Sequence, residues 1–320
     1  MIMNEPPTGN LLAEVTHCRS IEQQIPTSLP AYVQRPTPQL EHTFFTPTPL
    51  DGFPHIHQAT PTQVLDNFPT DTLKRWLESP GFKAIARIFD YDNTSYRSHF
   101  LPKAILAMAL AAATANLAPN SPAPTCIPPP VRPSGPPSPC MLVSIPSKQA
   151  QQALLNGRIW SSEWITFEIL PPTVHLRPTA LFAIGPFPRD DPTPPGIFLR
   201  EAWTSPQNET RIAESLISSN EPELRAGDVI DHMLRTLALH PFPYPGARGF
   251  GFVVHISSWW SEIEHWANVK KTLLSLEYAP PPGQGEPLIS TLPYCSICHS
   301  VDHTRTTCPF PNLPLWKGPR

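Results

Sequence analysis

Apolar residues come in short phased bursts separated by proline, and the phase changes along the chain. Leu73, Trp76 and Leu77 recur at helical spacing, and Pro80-Gly81 ends that helix. Phe82–Phe89 fits a helix or a strand. Pro102 stands where a first helical position tolerates proline, ahead of an alanine-rich run to Leu117. Met141–Ile145, Trp164–Leu170, Ala180–Ile184 and Phe250–Ile256 are short, β-rich runs that predict strands, the third stopped by Gly185-Pro186. Between the first two, Ser147 opens a helix through Ala150 and Leu154 that Asn156-Gly157 closes. Three more amphipathic stretches predict helices: Glu209–Ser218, Asp228–Leu239 and Trp259–Leu276.

Strand–helix–strand units interrupted by long breaks predict an α+β fold. Its core is expected to be a split β-α-β unit of the ferredoxin and RNA-recognition kind. The expected organisation runs in six segments. Residues 1–60 are a Pro-rich N-terminal region without a face to bury, hence disordered. Residues 61–118 are a small helical or α/β subdomain, and 119–140 a Pro-rich linker. Residues 141–278 form the α+β domain, 279–293 a second linker, and 294–320 a metal-binding tail.

Composition sharpens this picture. The chain has 320 residues, of which 46 are proline, about three times the usual share. Proline at that density breaks helices and sheets, so core material must lie in the stretches it spares. Charged residues make up 15% and the net charge is −3, which lacks the basic excess of a nonspecific nucleic-acid binder. The start of the chain shows no basic, apolar leader, and the run Ala104–Ala113 is too short to span a bilayer. Cys18, Cys126 and Cys140 stand apart, as free thiols do in a reducing compartment. These features predict an intracellular protein of the nucleus or cytoplasm.

The chemistry concentrates at the C-terminal end. Cys295, Cys298, His303 and Cys308 are spaced C-x2-C-x4-H-x4-C. Three thiolates and one imidazole close a tetrahedron around Zn²⁺, and a closed four-ligand site is structural. With six Cys and twelve His in the chain, chance produces this spacing with a probability on the order of 10⁻⁴. His299 is a rival ligand, but it adjoins Cys298, and neighbouring side chains diverge. A loop this short has almost no core, so the metal supplies most of its folding free energy. After the last ligand, Phe310, Leu313 and Trp316 can fold back as an apolar lid, or Trp316 can serve as a stacking platform for a base.

This spacing resembles the CCHC zinc knuckle of retroviral and retrotransposon Gag-type proteins. The stretches 142–171 and 295–319, with Trp160-Ser-Ser, Cys308-Pro-Phe-Pro and Trp316-Lys-Gly-Pro, resemble multi-copy, transposon-associated Gag-like proteins of basidiomycete fungi. The resemblance implies Zn²⁺ as cofactor and single-stranded RNA or DNA as partner. It implies contacts from Tyr294, Ile297, Val301, Arg305, Trp316 and Lys317. His299 and Asp302 stand where that family usually carries glycine.

Elsewhere the chain lacks G-x-S-x-G, a Walker A loop and H-E-x-x-H. His255, His265, Glu262 and Glu264 can gather at one helix end, but no Ser or Cys partner accompanies them, so a structural histidine is expected. Arg248–Val254 approaches an RNA-recognition strand signature, with His255 in place of its last aromatic. Buried strand phenylalanines explain Phe167, Phe182, Phe250 and Phe252 more simply. The expected function is non-enzymatic: a zinc-binding, single-stranded nucleic-acid-binding protein. The alternative is a protein-interaction adaptor that uses the knuckle and the Pro-rich segments.

Overall fold

The computed structural model describes residues 44–60, 62–91, 97–114, 122–130, 138–172, 180–218, 225–244, 249–257, 263–278 and 288–320. Residues 1–43 of the expected N-terminal region, including Cys18, lie outside the described residues, as do parts of both linkers and the start of the helix expected from Trp259. The architecture is α+β, with two antiparallel sheets and seven α-helices among the described residues.

The first sheet is built from β1 (Phe82–Ile88), β2 (Thr125–Ile127), β3 (Cys140–Ile145), β4 (Ile159–Ser161) and β5 (Thr166–Leu170), in the order β2-β3-β1-β5-β4. Strand β1 settles the helix-or-strand choice at Phe82–Phe89. It pairs antiparallel with β3 on one side and β5 on the other, so segments expected in separate units share one sheet. Because β3 and β5 flank β1 and run the same way, the helix between them, α3 (Lys148–Gly157), crosses a split pair. Ser147 caps α3, its side chain accepting from the Ala150 amide at 3.1 Å, which satisfies one orphan donor of the first turn.

Alternation along these strands sorts two cores. Ala84, Ala86 and Ile88 join Met141, Val143 and Ile145 under α2 (Arg97–Thr114) and α3. Ile85, Leu142 and Leu170 face the opposite way, onto Trp76 of α1 (Thr70–Glu78). The Trp76 indole donates to the Val143 carbonyl at 3.3 Å. The turn from α1 into β1 needs Gly81, whose φ is +97° and whose added Cβ would lie 2.9 Å from the Ile145 carbonyl oxygen. A buried ion pair, Arg87 with Glu168 at 3.5 Å, crosses from β1 to β5.

The second sheet has the order β7-β8-β6-β9, from β6 (Ala180–Phe187), β7 (Ala238–Pro243), β8 (Phe250–His255) and β9 (Leu288–Ser290). One face is covered by α4 (Thr193–Trp203), α5 (Pro206–Ser218), α6 (Ala226–Thr236) and α7 (Ile263–Leu274). Phe182, Phe252 and Val254 fill that core together with Trp203, Met233 and Leu273. Phe167, Phe182 and Phe252 are thus core residues with exposures of 0%, 1% and 0%.

The structure departs from the sequence expectations at several places. The helix expected over Asp228–Leu239 ends at Thr236, and Ala238 and Leu239 open β7. Strand β6 continues through Gly185-Pro186. Helix α4 forms in a Pro-rich stretch because Pro194 and Pro195 occupy its first turn, where no amide donor is needed. Strands β2 and β9 lie inside the two stretches expected to be linkers. Residues 44–60, expected to be disordered, instead run as a strap in which Thr46, Ile56 and Gln58 are buried. The strap has no periodicity to read because its partners are scattered: the Thr46 amide donates to the Ser161 carbonyl of β4, Arg158 to the Phe53 carbonyl, Lys270 to the Ala59 carbonyl, and the Val301 amide of the tail to the His57 carbonyl.

Candidate metal centre

The tail folds as a compact loop wedged between the two sheets. The Cys295 amide donates to the Ser300 carbonyl at 2.9 Å, and the His299 amide to the Cys295 carbonyl at 2.8 Å. These bonds make a tight turn that brings Cys295 and Cys298 to one side. A single 3-10 turn, Arg305–Thr307, returns the chain, with reciprocal Thr304 and Thr307 side-chain bonds closing its start. Cys308 follows at its end. Donor atoms of Cys295, Cys298, His303 and Cys308 lie within 4.8 Å of one another, all on buried residues. The Cys298 sulfur is 3.3 Å from His303 Nε2. Tetrahedral donors about 2.3 Å from a shared ion are about 3.8 Å apart, so the four residues fit a metal ion.

The electrostatics agree. Hydrogen bonds from the Cys298 and Cys308 thiols hold Cys295 well below the usual thiol range, while Cys295 and Cys308 push Cys298 up. Three thiolates crowded without a cation repel, and a divalent ion removes that conflict while displacing the remaining protons. His303 turns its other nitrogen away: Nδ1 donates to Asp302 Oδ1 at 2.6 Å. That bond fixes the tautomer that leaves Nε2 free to ligate, the usual role of a carboxylate behind a metal-bound histidine. Asp302 also accepts from the Ser300 hydroxyl at 2.5 Å. Burial raises its pKa, but bonds from His240, His303 and Ser300 outweigh that, so it stays ionised well below the usual carboxylate range.

Comparison with models of protein families, with curated proteins and with solved structures gives no match.

His299 is not a ligand. Its Nε2 donates to the Ile88 carbonyl at 2.8 Å, and its Nδ1 accepts from the Tyr294 hydroxyl at 2.5 Å. Ile297 is 1% exposed and packs with Ile56, Phe89, Ile159, Phe310 and Trp316. Its carbonyl accepts from the Asp90 amide at 2.7 Å. Val301, 5% exposed, packs instead on Phe242 and Val253 of the second sheet, and its amide donates to the His57 carbonyl at 3.1 Å. Trp316 is buried as the expected lid, 5.4 Å from Phe310 by ring centroids. Gly318 passes so close that an added Cβ would sit 2.4 Å from Thr166 Oγ1.

Of the six positions implied as nucleic-acid contacts, Ile297, Val301 and Trp316 thus face protein. Tyr294 and Arg305 are exposed and Lys317 is half-buried. Arg305 is engaged, pairing with Asp90 at 2.6 Å and donating to the Arg320 carbonyl. Beside the tail lies a groove of about 360 Å³ lined by Trp164, Ile105, Glu163 and Lys317, among others. Trp164 is 64% exposed and contacts Phe44 edge-on at 5.3 Å. His265, Glu262 and Glu264 carry side chains outside the described residues.

One grouping was not foreseen. His57, His240, His255 and Asp302 come together on the other side of the tail. Burial keeps His57 below the ordinary histidine range and takes His255 down to about 3, so both rings are neutral at physiological pH. Only Asp302 sits near a motif; the three histidines are 15 or more positions apart in sequence and carry no spacing signal. Among the described residues no helix is long and apolar enough to cross a membrane.

Proposed function

We propose that this chain is a non-enzymatic zinc protein whose Cys295–Cys298–His303–Cys308 centre clasps the two sheets and the 44–60 strap into one body, which serves as an adaptor for a protein partner. Zn²⁺ is the ion we assign, because three thiolates and one imidazole in a closed tetrahedron are its structural donor set. We read the crossing of α3 between β3 and β5 as the ferredoxin-like element of the fold. The C-x2-C-x4-H-x4-C spacing supports descent from a Gag-type retroelement protein.

The observation that carries the adaptor reading is the burial of Ile297, Val301 and Trp316. A knuckle that stacks bases must present such a platform to solvent; here the platform is spent on packing. Exposed aromatic surface lies instead at Trp164 and Phe44, beside the groove. Single-stranded RNA or DNA is the second reading, favoured by the exposed Tyr294 and Arg305 at the tail's edge.

Filter binding of the full zinc-loaded chain to single-stranded RNA across a salt series decides between them. The adaptor reading expects weak retention with little salt dependence. Tight retention that falls steeply with salt, and that Arg305→Ala weakens, would transfer the function to nucleic acid.

A further inference from the structure

We propose that His57, His240, His255 and Asp302 form a second divalent-cation site, of the zinc, cobalt and nickel class, that shares Asp302 with the cysteine centre. The four side chains arrive from four separate places. His57 lies in the strap, His240 in β7, His255 in β8 and Asp302 in the tail, the last of the four residues between Cys298 and His303.

Strand geometry sets the convergence. Successive side chains alternate across a sheet, and Val253 faces the tail whereas Phe252 and Val254 face the helices. His255, two residues beyond Val253, faces the tail as well. On the neighbouring strand Phe242 faces the tail, so His240 does too, directly opposite Val253 in the register. His57 is delivered by a two-way backbone hinge: its amide donates to Ser300 Oγ at 2.8 Å and its carbonyl accepts from the Val301 amide.

The resulting cluster is tight. Ring centroids of His240 and His255 are 4.3 Å apart, and those of His57 and His255 4.5 Å. Asp302 Oδ2 is 3.7 Å from both His57 Nε2 and His240 Nδ1. One donor atom from each residue lies within 4.8 Å of every other, and the two 3.7 Å separations at Asp302 are near the roughly 3.4 Å between N and O donors about 2.1 Å from one tetrahedral ion. Three imidazoles and one carboxylate suit borderline transition ions, whereas Mg²⁺ and Ca²⁺ take oxygen sets. The His240 side chain is 45% exposed, which gives the ion an entry path from solvent.

Asp302 divides its two oxygens between the centres. Oδ1 accepts from His303 Nδ1, orienting a ligand of the cysteine centre, and Oδ2 turns to the second cluster. The second ion would join the strap and the β7–β8 edge to the tail. With four protein ligands it is a fastening, not a catalytic centre.

Co²⁺ titration of the metal-free full chain under reducing conditions tests this. A thiolate-to-cobalt charge-transfer band reports the cysteine centre alone; d–d absorption without that band reports the nitrogen and oxygen set. The wild-type chain should take up about two equivalents, one of each kind. His240→Ala, at a half-exposed position, should lose the equivalent that lacks the thiolate band, and His57→Gln should do the same. Loss of that equivalent in both variants supports the proposal whatever the thiolate band does. A wild-type chain saturating at one thiolate-banded equivalent overturns it and leaves the cysteine centre standing. A second equivalent that persists in both variants is adventitious binding elsewhere and also overturns it.

Discussion

Removing the metal from the cysteine centre should release the tail and the strap while leaving the helical core of the second sheet intact. The perturbation is Cys298→Ser, at a fully buried ligand, or chelation of the wild-type chain. The metal-bound tail docks through Ile297, Phe310 and Trp316, with exposures of 1%, 0% and 6%. Burying each such side chain contributes about 1.5–3 kcal/mol, so the three together contribute roughly 5–9 kcal/mol. Two backbone bonds, from Asp90 to Ile297 and from Val301 to His57, add about 1 kcal/mol each. None of these contacts survives unless the tail is ordered, and ordering costs at least about 1 kcal/mol per residue. A structural zinc supplies roughly 10–16 kcal/mol toward that ordering. Without it, the opening free energy of tail and strap should fall by at least about 5 kcal/mol, a 10³- to 10⁴-fold change at ~1.4 kcal/mol per decade.

Hydrogen exchange read by peptide mass spectrometry measures this directly. Segments 44–60, 88–91 and 291–320 should lose protection by that factor in the metal-free chain. Segments 208–216, 228–234 and 266–273, whose buried residues sit in a core without any tail residue, should change little. Equal protection of 44–60 and 291–320 with and without metal would refute the reasoning, because the tail would then be ordered by packing alone.

Three further outcomes follow from the packing. Phe310→Ala, which removes a ring lying 5.0 Å from Phe89, should cost about 3–5 kcal/mol in denaturant unfolding, yet leave metal uptake at the cysteines unchanged. Glu168→Gln leaves Arg87 charged and 2% exposed, so it should destabilise by about 3–5 kcal/mol, whereas Arg87→Met with Glu168→Leu should recover most of that loss; a mild single variant would show that the ion pair is not buried in solution. Cys126 and Cys140, whose thiols burial pushes up to about 12 and about 11, should resist iodoacetamide at pH 8 in the native chain, and rapid alkylation of either would contradict their burial.

What could be read from the chain before its fold was whatever is carried by local periodicity or fixed spacing. The cysteine spacing is of that kind, because a four-ligand turn is closed by residues a few positions apart. So are α5 and α6, whose Ile212, Leu216, Ile230 and Met233 mark one face. Strand β1 was ambiguous because both of its faces are covered, by α2 on one side and α1 on the other, and a run buried on both faces loses the alternation that marks a strand. The strap was illegible for a different reason. Of its buried residues, Thr46 and Ile56 meet both the edge strand β4 and the tail instead of one regular face, so their order along the chain follows no period. The histidine cluster is the extreme case: its members meet only because β7 and β8 pair and the tail packs on both.

Two residues between Cys298 and His303, namely His299 and Asp302, connect these observations. His299 adopts φ +64°, the left-handed conformation for which a glycine is ordinarily selected. A side chain there is strained by roughly 1 kcal/mol or more, and the strain persists because the imidazole bonds the Ile88 carbonyl and the Tyr294 hydroxyl. Asp302 stands three residues on, and its carboxylate meets His303, Ser300, His57 and His240. A glycine at either position would leave the turn able to close around a metal but would remove that side chain's own bonds to the body. These two side chains therefore act outward from the ligand set: one fastens the tail to the first sheet, the other to the strap and the second sheet. That is why Ile297 and Val301 both face inward, on opposite sides of the ligand set.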